Sequence, residues 1–179
     1  MEKKFRRIHV IGTSGSGKTS LSKIISKKLS VKHIESDSIW WQKNWEITPY
    51  VKYKSQMKKI LSDEEWILDG NYLRLYDDDE IRKKVQVLIW IDLPLYLILY
   101  RVILRTFKRV ITKEKLWGKN IETFRMNFFS KDSIILYVLK VHHNNRKNIL
   151  KLINHADNKH IKVIKLNTMT NVNEFINEI

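Results

Sequence analysis

Gly12-Thr13-Ser14-Gly15-Ser16-Gly17-Lys18-Thr19 matches Gly-x-x-x-x-Gly-Lys-[Ser/Thr] without a mismatch, and no other run constrains the fold of this chain as tightly. The pattern has chemical meaning between a strand and a helix, and its flanks predict both. Phe5 to Ile11 reads as a buried strand, and Lys18 to Leu29 as a helix with Leu21, Ile24, Ile25 and Leu29 on one face. Glycines let consecutive backbone N–H groups turn inward around phosphate oxygens, and the helix N-terminus adds partial positive charge. Lys18 is expected to reach the β- and γ-phosphates of a nucleoside triphosphate, and the Thr19 hydroxyl to help hold Mg²⁺. Ser20, next on the same turn, joins the expected nucleotide contacts. The competing reading is a glycine-rich turn before an ordinary helix.

Further short apolar runs predict a parallel sheet between helices. His33 to Ser36 reads as a strand ending at Asp37, Trp66 to Asp69 as one ending before Gly70, and Val85 to Ile91 as one ending before Asp92. Lys162 to Leu166 reads as a final strand and Val172 to Ile179 as a terminal helix. Tyr53 to Leu61 is expected to be helical, with Met57, Ile60 and Leu61 inward. Leu95, Ile98, Leu99, Val102 and Ile103 predict a helix that also carries Arg101, Arg105, Lys108 and Arg109 on a shared polar face. The basic stretch Thr112 to Phe124 lacks clean periodicity. Helix is expected again from about Arg125 to Ile153, with a break near His142-His143-Asn144-Asn145. The 179 residues suit one domain. In such a sheet ligands bind beyond the carboxyl ends of the strands, so Gly12, Asp37, Asp69-Gly70 and Asp92 are expected along one edge.

Composition bounds the function. The formal net charge is +15, and residues 101–179 hold sixteen Lys/Arg against six Asp/Glu. Such a field suits phosphorylated ligands and could also attract nucleic acid, although no helix-turn-helix, zinc-finger or RNA-binding signature accompanies it. The absence of cysteine excludes a disulfide framework and a thiolate zinc site. Val85 to Leu104 is interrupted by Asp92, Pro94 and Arg101, which argues against a membrane span. A cytoplasmic location is expected. Oligomeric state is not legible.

Several side chains carry alternative readings. Asp37 could bind Mg²⁺ through water, contact an acceptor or take a proton from an acceptor hydroxyl; alternatively it is an N-cap before Ser38. Asp69 suits indirect contact with Mg²⁺, and Gly70 close approach of a ligand; the alternative is a strand-end cap. Asp92, before a proline, reads as structural. Arg101 and Arg105 could supply positive charge to a transferring phosphoryl group, or simply form a solvated basic face. Trp40, Trp41 and Trp45, next to Asp37, could wall a substrate pocket. Adjacent His142 and His143 point apart on a helix and do not make a metal site.

The motifs together resemble the bacterial DNA topology modulation proteins (FlaR-like), relatives of adenylate kinase and other small P-loop kinases. The resemblance spans nearly the whole chain. It is carried by Gly12 to Thr19, by Asp37-Ser38-Ile39-Trp40-Trp41 with Trp45 and Thr48-Pro49, by Trp66 to Tyr72, and by Ile91-Asp92-Leu93-Pro94 with Arg101 and Arg105. It implies a nucleoside-monophosphate-kinase-like α/β/α fold with a five-stranded parallel sheet, an acceptor region around residues 38–65 and a helical, basic lid around 106–145. It further implies that Arg101 lies near adenine, Arg105 near the phosphates, and Arg146 at a phosphate-binding position on the return helix. Adenylate kinases follow Asp-Gly with Phe-Pro-Arg, which engages a monophosphate; this chain has Asn71, Tyr72 and Leu73, with Arg74 one step late. Either Arg74 compensates or the acceptor is not an ordinary nucleoside monophosphate. The expected activity is transfer of the γ-phosphoryl of MgATP to a small-molecule acceptor, with a nucleotide-dependent nucleic-acid-binding protein as the alternative.

Overall fold

In a computed structural model of the chain, described for residues 5–123, 127 and 133–179, the elements run β1 (Arg7–Gly12), α1 (Lys18–Leu29), β2 (His33–Glu35), α2 (Ser36–Trp40), α3 (Tyr50–Ile60), β3 (Trp66–Asp69), α4 (Asp79–Lys84) and β4 (Val87–Ile91). They continue with α5 (Leu95–Thr112), β5 (Lys115–Leu116), β6 (Asn120–Ile121), α6 (Ile134–Asn154), β7 (Lys162–Leu166) and α7 (Met169–Glu178). Five strands form one parallel sheet in the order β2-β3-β1-β4-β7, and β5 pairs antiparallel with β6 as a separate small hairpin.

The central strands are apolar almost throughout because both faces of the sheet are covered. Alternation along each strand divides the core in two. Ile8, Val10, Ile67, Val87, Ile89 and Ile91 face Leu21 and Ile25 of α1, Ile98 and Val102 of α5 and Phe175 of α7. Ile11, Trp66, Leu68, Leu88 and Trp90 face Tyr53 and Met57 of α3 and Ile149 of α6. The expected inward set on α3 holds for Met57 and Leu61, while Ile60 packs at the margin.

Two expectations are corrected. Asp37 does not follow a strand directly, nor is it an N-cap: β2 stops at Glu35, which holds the cap position, and Asp37 stands in the first turn of α2. Helix α6 runs unbroken through His142-His143-Asn144-Asn145. His143 and Asn144 are exposed there, so their polar groups are solvated without competing for the helix backbone. The expected start of that helix at Arg125 lies outside the described residues.

The glycine loop is seated on α5. Gly15 has φ +87°, and a Cβ there would lie 2.3 Å from Val102 Cγ2. Gly15→Ala therefore combines overpacking with left-handed strain and is expected to cost about 2–4 kcal/mol in urea unfolding. Pairing it with Val102→Ala relieves the clash, so the double variant should lose less than the two single losses together, as a double-mutant cycle would measure.

Candidate functional site

The loop between β1 and α1 is closed by a Ser16 N–H to Thr13 carbonyl bond of 3.0 Å. Gly17 takes the N-cap position of α1 in a left-handed conformation, without a side-chain cap, and the first turn contains no acidic residue. The leading N–H groups of α1 are thus left for an external acceptor, with no carboxylate to repel an anion. Lys18 Nζ donates to the Thr13 carbonyl at 3.2 Å. Burial pulls the Lys18 pKa down, while Asp69 and Asp37 act in the opposite direction and Arg105 adds to the lowering. Thr19 is half-buried on the first turn of α1, and Ser20 is exposed.

Two arginines of α5 reach the loop from above. Arg101 Nη1 donates to the Ser16 carbonyl at 3.3 Å, and its Nη2 lies 2.8 Å from Met169 Sδ at the start of α7. Arg105 Nη2 donates to Ser14 Oγ at 3.4 Å, and its buried Nε has no hydrogen-bond partner. One turn further on, Arg109 pairs with Glu122 at 3.0 Å. Lys108, expected on the same polar face, points to solvent, since the four-residue spacing of Arg101, Arg105 and Arg109 follows the inner side of the helix.

Strand ends supply the carboxylates. In register, Val10 pairs with Asp69 and Gly12 with Ile91, so the loop, Asp69-Gly70 and Asp92 emerge along one edge. Asp69 is 3% exposed; its Oδ2 lies 3.5 Å from His33 Nε2, and neither atom has a hydrogen-bond partner. Gly70, at φ +149°, abuts α2 so closely that a Cβ would lie 2.5 Å from Ser36 Cβ. This contact fixes Asp69-Gly70 against the helix that carries Asp37. Asp37 Oδ1 accepts a 2.7 Å bond from Tyr72 Oη. The Tyr72 phenol is pushed far up by burial and by Asp37 itself, so it stays protonated and donates. Tyr137 of α6 also feels the Asp37 charge.

Other expected site residues divide between two surroundings. Trp40 packs against Tyr53 and Tyr72 at 5.1 and 5.0 Å between ring centroids, whereas Trp41 meets Trp45 at 5.7 Å, further out. Asn71 sits between Gly70 and Tyr72 with its buried Oδ1 unpartnered. Arg74 is exposed and lies over the Tyr50 ring, 4.1 Å from its centroid, away from Asp37's immediate partners. Arg146 is held by Asp92 at 3.1 Å, and Lys165 by the same carboxylate at 3.0 Å. The α6 contact with the loop comes instead from His142, whose Nδ1 lies 3.2 Å from Thr13 Oγ1.

Tyr72, Tyr137 and His142 escaped functional assignment in the sequence. A signal existed for Tyr72, which directly follows Asp69-Gly70-Asn71. None existed for the two residues on α6, because their neighbours are set by a helix crossing. His9 was likewise unseen: it is 1% exposed, donates from Nε2 to the Gly70 carbonyl and accepts at Nδ1 from Tyr76 Oη, both at 2.9 Å. A carbonyl can only accept, which fixes this tautomer.

The fold is that of P-loop kinases. The shikimate kinase of Acinetobacter baumannii in complex with shikimate superposes with TM-score 0.52 at 14% identity, covering 98% of this chain and 91% of that one. A gluconokinase from Sinorhizobium meliloti 1021 gives TM-score 0.55 at 15% identity over 97% of this chain and 88% of that one. The shikimate kinase of Bacteroides thetaiotaomicron gives 0.58 at 12% identity over 97% and 95%. No family model matches the chain. In sequence it is similar to the uncharacterized protein YqaC of Bacillus subtilis (strain 168), 27% identical over 106 residues; this stretch is 58% of the chain and 58% of the relative. No helix among the described residues is long and apolar enough to cross a membrane.

Burial lowers the His9 pKa to about 4, despite the opposing pull of the Gly70 carbonyl and Asp69. The unfolded chain takes up this proton at pH values where the folded one refuses it. Stability should therefore fall as pH drops from about 6.5 to about 4, by about 3 kcal/mol from this group alone. Urea unfolding at pH 7, 5 and 4 measures the decline, and His9→Gln should flatten it; an unchanged slope in the variant would assign the effect elsewhere.

Proposed function

We propose that the protein is an ATP-dependent phosphotransferase that moves the γ-phosphoryl of ATP onto a hydroxyl of a small molecule. The carrying observation is the convergence of Lys18, Asp69, Asp37 and Arg105 on one electrostatic neighbourhood at the loop, with Asp37 oriented by Tyr72. The loop N–H groups, Lys18, Arg101 and Arg105 would bind the polyphosphate. Asp69 Oδ2 is buried and makes no hydrogen bond, although His33 Nε2 lies 3.5 Å away, and the Asp69 charge is felt by Lys18 at the head of α1; such a carboxylate fits a hydrated cation. Thr19, with Asp69 and Asp37 acting through water, would hold Mg²⁺, which supplies charge neutralisation at the phosphate oxygens when bound.

In the transfer step the acceptor oxygen forms a bond to the γ-phosphorus as the bond to the β-bridging oxygen breaks. The hydroxyl proton passes to Asp37, and ADP leaves. Tyr72 occupies one carboxylate oxygen and leaves the other for the acceptor. Arg101 and Arg105 meet the charge shared by the equatorial oxygens. An alcohol is favoured over a phosphate acceptor because Arg74 is drawn off onto Tyr50, while Tyr72, Tyr137 and Trp40 gather near Asp37. The names of the structural neighbours, shikimate kinase and gluconokinase, make hydroxy acids the first acceptors to try. Membership of the FlaR-like group is part of the same reading, since its two specific segments, Asp37 to Trp41 and Asp69 to Tyr72, meet here. The acceptor region is inferred to span about 38–65 and the lid about 106–145 within one domain.

An ADP-release assay with MgATP against hydroxy acids, nucleosides and nucleoside monophosphates tests the proposal. With a hydroxyl acceptor, Asp37→Asn should lower turnover roughly 10²–10⁴-fold, and Lys18→Ala should lower it roughly 10²–10³-fold. Turnover that survives Lys18→Ala would remove the loop from the reaction, and equal Asp37→Asn losses with hydroxyl and phosphate acceptors would remove the base role.

A further inference from the structure

The small hairpin β5–β6 does not stand free above the loop: it is fastened to the segment that follows α2. Asn120, 2% exposed, donates from Nδ2 to the Gln42 carbonyl at 2.8 Å and accepts at Oδ1 from the Trp45 N–H at 3.1 Å. One carboxamide thus serves a donor and an acceptor of a backbone far away in sequence, much as a paired strand would. Trp45 Nε1 donates to the Ile121 carbonyl at 3.4 Å, and its ring meets Trp117 edge to face at 6.0 Å. Lys119 Nζ donates to the Ser38 carbonyl at 3.2 Å, one residue past Asp37.

Backbone conformation marks the same junction. Asn44, Trp45 and Trp117 have φ of +59°, +63° and +50°. Asparagine enters this left-handed region readily, whereas a tryptophan does so at a cost that surrounding contacts must offset. Both tryptophans lie at the contact between the two segments, so each side helps hold the other's backbone in place.

We propose that Asn120 is a positioning residue that clasps the hairpin to residues 41–47, making the outer wall of the acceptor pocket a composite. Trp41 and Trp45 come from one side of the seam, Trp117 and Lys119 from the other. Resting on the phosphotransferase reading, this assigns the hairpin to recognition of the acceptor and leaves grip of the nucleotide to the loop and α5. Releasing the clasp frees the Trp45 backbone and withdraws Lys119 from the Ser38 carbonyl of α2, loosening both halves together.

Hydrogen–deuterium exchange on the full chain tests the clasp without knowing the acceptor. In Asn120→Ala, peptides covering 41–47 and 115–121 should both exchange roughly tenfold faster, with sheet peptides unchanged. Asn120→Asp keeps an acceptor for the Trp45 N–H and should show a smaller rise in 41–47; it also serves as the reading if exchange of the sheet reveals that the alanine variant does not fold. Calorimetry with Mg²⁺ and a non-hydrolysable ATP analogue should give dissociation constants within about twofold of the parent, because the clasp lies off the phosphate grip. Acceleration of 115–121 alone would overturn the coupling. A tenfold loss of nucleotide affinity would overturn the assignment to the acceptor side. If the parent chain binds no nucleotide, the phosphotransferase reading fails, while the exchange result still judges the clasp.

Discussion

The ammonium of Lys18 is taken out of water at the head of α1, and the arrangement around it answers that burial. Desolvation alone would drive the group toward its neutral form. Asp69 counters this from the end of β3 and Asp37 from the first turn of α2, and the Thr13 carbonyl accepts directly from Nζ. Register makes this possible: β1 and β3 run parallel with Val10 opposite Asp69, so loop and carboxylate leave the sheet together. On the proposed reading such a charge suits a polyanion, because phosphate oxygens would replace a carbonyl and distant carboxylates with closer partners.

Around that charge the site separates by polarity. Donors gather on the loop and on α5, where Arg101 and Arg105 approach Ser16 and Ser14. Carboxylates and aromatic rings gather on α2, on the end of β3 and on Tyr72. The supporting contacts are buried and specific: His9 fixes the Gly70 carbonyl, and Gly70 admits Ser36 at a distance no side chain would allow. These contacts hold the end of β3, with Asp69, against the helix that carries Asp37.

Much of this was legible from residue patterns. The extents of α1, β3 and β7 were readable because helical periodicity or an apolar run ends there at Ser30, at Asp69-Gly70 and at Asn167-Thr168. The glycine loop declared itself through spacing alone. What escaped was made by long-range polar contacts, which leave no periodicity. Asn120 looks like any hairpin asparagine until Gln42 and Trp45 are brought beneath it. Arg146, which the resemblance places at a phosphate-binding position on the return helix, is paired with Asp92, a neighbour that no spacing in the sequence announces. The unbroken course of α6 through its His-Asn run was hidden for a simpler reason, since solvated polar side chains resemble a loop in sequence.

Helix α5 has two duties at its two ends. Its early turns press Ile98 and Val102 against the glycine loop, while its last turn leads into the hairpin that meets Trp45. Natural variation can therefore act on the two ends separately. On the proposed phosphotransferase reading, substitutions across the seam of residues 41–47 and 115–121 would retune which molecule is accepted, and the glycine loop seated on Val102 would be inherited unaltered. Divergent descendants of such a scaffold would share a donor and differ in their recipients.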